Sequence, residues 1–162
     1  MDERFEMPRI VVGVDGSEHS QRALRWAAHL AARLGAVIEA VYVWEQPVRY
    51  GMTPGLAAFN CYPGKGAEQL LSSTVDEAFG SERPLGMRLV AVEGYAPTVL
   101  AEHSSGALLL VLGSRGRSGV AARLLGSVSA ACSKLAHCPV LAVHDTEPPV
   151  RLEPATSTLV PA

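Results

Sequence analysis

The chain has 162 residues, 48% of them hydrophobic and 19% charged, which fits one globular domain and excludes a wholly disordered chain. Its 14 basic and 16 acidic residues give a net charge of −2, which excludes the strongly basic surface of a general nucleic-acid-binding protein. The longest apolar run, Ala107 to Leu112, is far too short for a transmembrane helix, and no secretory leader is recognisable at the start. We therefore expect a soluble cytoplasmic protein with three reduced cysteines and with neither a membrane nor a nucleic-acid partner.

The first third of the chain predicts a strand, a helix and a second strand. Residues 9–15 form an almost continuous apolar run, which is typical of a strand buried on both faces. The period then changes to helical over 17–34, with Ser17 as a candidate N-cap and Gly35 as a candidate stop. A second strand is predicted over 36–44. These three elements predict a right-handed βαβ unit.

The rest of the chain continues the alternation after a long interruption. Proline and glycine recur between 45 and 66, which predicts a surface loop. The elements predicted after it are a short helix at 67–79, a strand at 87–92, a helix opening at Pro97, a strand at 108–112, a helix from Gly126 or Ser127 to about Leu135, and a strand at 139–143. We expect a domain over 8–145 and a proline-rich, disordered tail over 146–162.

This alternation predicts an α/β fold with an open, five-stranded parallel sheet and helices on both faces. In such sheets ligands bind beyond the carboxyl ends of the strands, where the strand order reverses. Two glycine-rich strand ends, 13–17 and 113–116, are therefore the first places to look for a binding site.

The segment that follows the fourth strand has the features of a phosphate-binding loop. Its glycines permit positive φ angles and a close approach of the backbone to a ligand, and Gly126-Ser127 opens a helix whose N–H groups favour an anion. Serine hydroxyls and arginine charges add further donors. The candidates are Gly113, Ser114, Arg115, Gly116, Arg117, Gly119, Gly126, Ser127 and Ser129. The alternative interpretation is that the glycines form a tight turn and that Ser127 caps a helix.

The spacing of four of these residues is more specific than a lone glycine-rich turn. Gly113 is followed by two residues, Gly116, nine residues, Gly126 and Ser127. This pattern resembles the ATP motif of the universal stress protein family, in its nucleotide-binding branch. The resemblance extends from the first strand to the last and covers roughly residues 8 to 144.

The resemblance implies a Rossmann-like fold of the adenine nucleotide alpha hydrolase type, with ATP as the ligand, bound with or without Mg²⁺. It implies that Gly13 lies against the nucleotide, that Asp15 lies near the ribose and any metal, and that backbone groups at Val43 bind adenine. It also implies that the loop residues and the start of the helix, through Val128 and Ser129, hold the phosphates. Asp15 has an alternative role, as an Asx-turn or cap for the first helix.

Three hypotheses for function remain open at this stage. The first is a nucleotide-dependent regulatory protein of stress response that binds ATP, hydrolyses it slowly at most and signals to an unknown protein partner. The second is an interaction scaffold with a structural nucleotide or none, and the third is a true nucleotide hydrolase. No residue is an evident catalytic group, because nothing in the sequence is dedicated to positioning a water. An apolar last strand, 140–143, together with the resemblance, predicts a homodimer.

Overall fold

The structure, a computed structural model, describes residues 7–45, 63–116 and 125–149. Its elements in chain order are β1 (Arg9–Val14), α1 (Glu18–Leu34), β2 (Val37–Trp44), α2 (Pro63–Phe79), β3 (Arg88–Glu93), α3 (Ala96–His103), β4 (Leu109–Gly113), α4 (Ser127–Leu135) and β5 (Val140–Val143). Within these ranges no helix is long and apolar enough to cross a membrane.

The five strands form one sheet in the order β3-β2-β1-β4-β5, and every neighbouring pair is parallel. β1 is central, with Val12 opposite Ala40 of β2 on one side and Val111 of β4 on the other. The predicted five-stranded parallel sheet is thus confirmed. The order reverses between β1 and β4, because the chain adds β2 and β3 on one side and β4 and β5 on the other.

Successive side chains of the strands pack alternately into two separate cores, one on each face of the sheet. Ile10 and Val12 of β1 point to one face, where α1 and α2 cover them with residues such as Leu24 and Leu71. Val11 points to the opposite face, where it joins the core that contains residues of α3 and α4. Strands covered on both faces read as continuous apolar runs, which explains the pattern of β1 and β4 in the sequence.

The ends of α1 are set by local chemistry. Ser17 is the N-cap, and its hydroxyl oxygen accepts a hydrogen bond from the Ser20 N–H at 3.2 Å. Gly35 ends the helix in the left-handed conformation, with φ of 60°, and its N–H donates to the Ala31 carbonyl. Both caps agree with the prediction from the sequence.

The start of α2 differs from the sequence prediction. The helix begins at Pro63, four residues before the predicted Ala67, so 63–66 are helical although the sequence predicts a loop there. Proline is favoured at the first helical position, where its missing N–H has no helical partner to lose. The rest of the predicted loop, 46–62, lies outside the described residues.

The segment after β5 also differs from the prediction of a disordered tail. The Thr146 carbonyl accepts a hydrogen bond from Trp26 Nε1 at 2.8 Å, and Glu147 pairs with Arg25. Residues 146 and 147 therefore pack on α1, because their backbone and charge find partners there that composition alone does not reveal. Residues 150–162 lie outside the described part of the chain.

A buried ion cluster closes the amino ends of the strands. Glu39 of β2 is only 2% exposed, and its carboxylate lies 2.7 Å from His103 Nδ1 and 3.2 Å from Arg9 Nη1. Arg9 also donates to the carbonyls of His103 and Ser105. Burial acts to raise the pKa of Glu39, but the His103 hydrogen bond and the Arg9 charge outweigh it and hold the pKa below its ordinary value.

We expect Glu39→Gln to lower the free energy of unfolding at pH 7 by about 1.5–3 kcal/mol, since it removes charge-assisted hydrogen bonds in a buried site. The pKa of Glu39 is lowered on folding, so its stabilising contribution is complete above the ordinary value of 4.5 and is lost as the pH falls through the folded pKa. Urea unfolding at pH 7 and in acid should therefore show a difference between wild type and variant that shrinks in acid.

Glu102→Gln is the matched control, because Glu102 is an exposed carboxylate on α3. Its stability should follow the wild type at both pH values. A Glu39→Gln variant as stable as wild type at neutral pH would show that the cluster contributes nothing to the fold.

Candidate functional site

The candidate site lies where the carboxyl ends of β1 and β4 adjoin. The helices that follow these two strands pack on opposite faces of the sheet, α1 on one and α4 on the other. Their separation leaves a crevice at the strand ends, which is the usual ligand position in an open α/β sheet. A cavity of about 330 Å³ occupies this crevice, and its size falls within the range of ligand pockets.

One wall of the cavity is apolar. Val41 and Val43 of β2, Leu112 of β4 and Leu100 of α3 line it, on the sheet face that α3 and α4 cover. Gly13 lies in the same wall, where an added Cβ would come within 3.2 Å of Leu100 and closer still to Leu112. The wall is suited to a flat, weakly polar ring, because apolar side chains line it without competing hydrogen-bonding groups.

A second wall of the cavity is polar and is formed by the loop after β4 and the start of α4. Gly126 is the N-cap of α4 and makes no side-chain capping bond, and helical bonding begins with the Ala130 N–H to the Gly126 carbonyl. Among the described residues the N–H groups of Ser127, Val128 and Ser129 have no hydrogen-bond partner. Donors without a described partner at a helix N-terminus, where the dipole is positive, are suited to binding an anion.

The glycines of the motif are needed for space rather than for backbone conformation. An added Cβ at Gly113 would lie 2.8 Å from the His19 backbone, and one at Gly126 would lie 3.3 Å from the Ser114 carbonyl oxygen. Neither these two glycines nor Gly116 has a positive φ, so the freedom to adopt one is not what the fold uses at these positions. The reason is that the loop and α4 approach α1 and Asp15 closely, which leaves no room for a side chain. Gly119 and Arg117 lie outside the described residues.

Asp15 connects the two strand ends. Its Oδ1 accepts hydrogen bonds from the Ser17 N–H at 3.0 Å and the Ser17 hydroxyl at 2.6 Å. Its Oδ2 faces Gly116, where an added Cβ would lie 2.9 Å away. The turn-forming role of Asp15 therefore occupies one oxygen and leaves the other at the cavity, so the two interpretations are compatible.

Two of the serines predicted to donate to a ligand, Ser129 and Ser114, have hydroxyls that do not face a ligand freely. The Ser129 hydroxyl donates to the Gly113 carbonyl at 2.7 Å, which fastens α4 to the end of β4 and removes that hydrogen from any ligand. Ser114 is 1% exposed, does not line the cavity, and has a buried hydroxyl without a hydrogen-bond partner in the described part of the chain. Ser127, by contrast, is exposed and lines the cavity.

Arg115 lines the cavity and is the one cationic side chain among its described lining residues. Its Nη2 donates to Asp145 Oδ2 at 2.6 Å, so its charge is already matched by a carboxylate that follows β5. Sequence reasoning missed Asp145, because nothing in a one-dimensional pattern joins residues that are thirty positions apart. It also missed Leu100 and Leu112 as lining residues, although their helix and strand periods mark them as inward-facing.

The described residues contain no group of three or more histidine, cysteine or acidic side chains that could hold a metal ion. Asp15 alone therefore represents the predicted metal site. A divalent cation at this position would need oxygen ligands from a bound ligand and from water, which is a common arrangement for Mg²⁺.

Comparison with known proteins identifies the family. Residues 7–144 match the Universal stress protein family. Universal stress protein Rv2005c of Mycobacterium tuberculosis is 32% identical over 142 residues, which cover 85% of this chain and 48% of the relative. Universal stress protein YxiE of Bacillus subtilis is 29% identical over 147 residues, covering 84% of this chain and 98% of the relative. The chain thus spans about half the length of the mycobacterial relatives that it matches.

Solved structures show the same fold. A universal stress protein in complex with cAMP has a TM-score of 0.61 and 28% identity, and the match covers 86% of this chain and 98% of that one. The protein from Archaeoglobus fulgidus in complex with dAMP has a TM-score of 0.56 at 20% identity, covering 84% and 96% of the two chains. The match to the family across nearly all the described residues shows that the chain belongs to the universal stress protein family.

Proposed function

We propose that this chain binds ATP in the cavity between the ends of β1 and β4 and acts as a regulatory module whose state depends on that nucleotide. The observation that carries the proposal is the juxtaposition of an apolar wall and a free helix N-terminus within one cavity of about 330 Å³. An adenine nucleotide has the matching parts, a flat base at one end and phosphates at the other.

The base is assigned to the apolar wall. Val41, Leu100 and Leu112 would pack against the ring, and burial of apolar surface is favourable by roughly 25 cal/mol per Å². Val43 lies near the end of β2, where its backbone groups would form hydrogen bonds with the polar edge of the ring. The small residues Gly13 and Ala96 leave room at this wall.

The phosphates are assigned to the polar wall. The free N–H groups of Ser127 and Val128 point out of the helix end, and Ser127 adds a hydroxyl. Hydrogen bonds to charged groups contribute about 1.5–3 kcal/mol each, so a few of them suffice for tight binding. Gly116 and Gly126 keep side chains away from this wall.

Asp15 is assigned to the ribose or to a magnesium ion, since its Oδ2 faces the cavity. Mg²⁺ would neutralise phosphate charge, with phosphate oxygens and water completing its coordination. The complex of a universal stress protein with cAMP supports an adenine nucleotide as the ligand class, because that protein is 28% identical to this chain.

The lining also supports a binding rather than a catalytic role. Among the described lining residues Asp15 is the one carboxylate, and it already accepts two hydrogen bonds from Ser17. Histidine and lysine are absent from that lining. Donors that hold the ground state and the transition state equally well give no acceleration, so hydrolysis is at most slow.

The direct test is to denature the purified protein and identify any released nucleotide by chromatography, followed by calorimetric titration of the emptied protein with ATP. ATP in the supernatant, or saturable binding of added ATP, is the expected result. Neither release nor binding would leave an interaction scaffold without nucleotide, whereas a mixture of ATP and ADP that changes with time would favour a hydrolase.

We expect Gly116→Ala to weaken ATP binding by about tenfold to a hundredfold, which corresponds to losing one charge-assisted contact. The new Cβ would lie only 2.9 Å from Asp15 Oδ2 and would therefore displace that oxygen. It would also fill space beside the polar wall. The fold should persist because the displaced atom is the end of a side chain. Calorimetric titration and thermal melting of the same samples test both parts.

Gly66→Ala is the matched control for this substitution. Gly66 lies in α2 with nothing within 4 Å of an added Cβ, and it does not line the cavity. Its affinity for ATP should equal that of the wild type. Equal affinities for all three proteins would show that the loop after β4 does not hold the nucleotide.

We expect ATP turnover well below the range of about 1–10³ per second that is typical of enzymes. The physical reason is the lining described above, which provides no spare base to activate water. Phosphate release in a single-turnover assay measures this rate. A rate of several per second that one side-chain substitution abolishes would reveal a catalytic group.

We expect the protein to be a homodimer through β5. This strand lies at an edge of the sheet, and its Leu141 and Ala142 are only partly buried. Exposed apolar edge strands are usually covered or paired, and antiparallel pairing with a second copy would satisfy the free backbone groups. Light scattering should give twice the chain mass of 17.1 kDa, and a monomer at tens of micromolar would contradict the expectation.

A further inference from the structure

The segment after β5 packs along α1, and its second and third residues make contacts there that do not involve the cavity. We call residues 145–147 the strap. Its Thr146 carbonyl accepts from Trp26 Nε1, and its Glu147 carboxylate accepts from Arg25 Nε and Nη2 at 2.7 Å each. The Arg25 hydrogen bond lowers the pKa of Glu147 despite partial burial. The strap is therefore held in place independently of any ligand.

Asp145, the first residue of the strap, bridges α1 and the loop after β4. Its Oδ2 accepts from Arg115 Nη2 at 2.6 Å. Its Oδ1 lies 3.2 Å from His19 Nε2 and 3.3 Å from Arg22 Nη1. One carboxylate thus has three cationic or potentially cationic partners, and only Arg115 lines the cavity.

This arrangement allows Arg115 to exchange its carboxylate partner for another anion. A guanidinium binds carboxylates and phosphates with the same donors, so a ligand phosphate and Asp145 would draw on the same side chain. If Arg115 turned towards a phosphate, Asp145 would keep Arg22 and His19 as partners and the strap would keep its contacts with Trp26 and Arg25. Asp145 is 57% exposed, so losing one partner leaves no buried charge unpaired.

We propose, on the basis of the nucleotide site proposed above, that Asp145 is an internal competitor for the ligand's phosphate groups. It holds Arg115 in the free protein and lowers the affinity of the cavity for phosphorylated nucleotides, while leaving the affinity for the nucleoside unchanged. The sequence position of Asp145 also places this competition at the junction between the domain and whatever follows β5.

The test is calorimetric titration of the full chain with ATP and with adenosine, at low salt and again at high salt. Asp145→Asn keeps the shape of the side chain and removes its charge. Exposed ion pairs contribute about 0.2–1 kcal/mol, so the variant should bind ATP up to about fivefold more tightly and adenosine as the wild type does. The gain should shrink at high salt because exposed charges are screened.

Glu147→Gln is the matched control. It removes the same charge from the same strap, but its partners are Arg22 and Arg25 rather than Arg115. Its affinity for ATP should stay close to that of the wild type. An equal gain in Glu147→Gln would reduce the effect to overall charge and overturn the proposal.

A double-mutant cycle with Arg115→Gln supplies the decisive comparison. In that background Asp145→Asn should no longer strengthen ATP binding, because the contested cation is gone. Persistence of the gain, no gain in Asp145→Asn alone, or weaker ATP binding in that variant would each overturn the proposal, and the last would make Asp145 a positioning residue. Wild-type protein that binds neither ligand would refute the nucleotide site itself, a different outcome from wild-type binding that Asp145→Asn leaves unchanged.

Discussion

The close approach of the ends of β1 and β4 is the constraint on which the rest of the structure depends. These two neighbouring parallel strands are followed by helices on opposite faces of the sheet, so neither of those helices covers the gap between the strand ends. The gap stays narrow because the loop after β4 has no side chain at Gly113, where its backbone packs against His19, or at Gly116, where it meets Asp15. The same approach brings the start of α4 to the mouth of the cavity.

The two ends of the sheet differ in how their polar groups are paired. At the amino ends, Glu39 forms ion pairs with His103 and Arg9, and these pairs fix β1, β2 and α3 relative to one another. At the carboxyl ends, backbone N–H groups at the start of α4 have no partner in the described part of the chain, and an apolar wall lines the cavity. Stability and the proposed binding would thus use different polar groups, so substitutions at one end should leave the other unaffected.

Much of the fold follows from local patterns in the sequence. The apolar runs of β1 and β4 and the caps of α1 at Ser17 and Gly35 depend on neighbouring residues, and the structure agrees with them. The sequence did not predict the start of α2 at Pro63, because proline favours both loops and the first helical position. The spaced motif predicted which glycines adjoin the cavity, but it did not predict the protein segments that crowd them, because contacts between distant segments are not visible in one dimension.

The polar partners of the site were the least predictable part. The Ser129 hydroxyl donates to Gly113, and Arg115 pairs with Asp145, because tertiary packing brings these groups together. Such contacts change what a predicted residue can do. In the proposed site Ser129 would contribute its backbone N–H rather than its hydroxyl hydrogen, and a ligand at Arg115 would meet an existing partner, Asp145.

The central claim is that a nucleotide occupies the crevice between β1 and β4, and amide NMR of isotope-labelled protein titrated with ATP tests it most directly. The account predicts saturable shifts that are largest at Gly13, Asp15 and Gly116 and at the start of α4, with the amides of Arg88 and His103 at the other end of the sheet unchanged. Saturable shifts centred elsewhere, or spectra that millimolar ATP leaves unaltered, would contradict it.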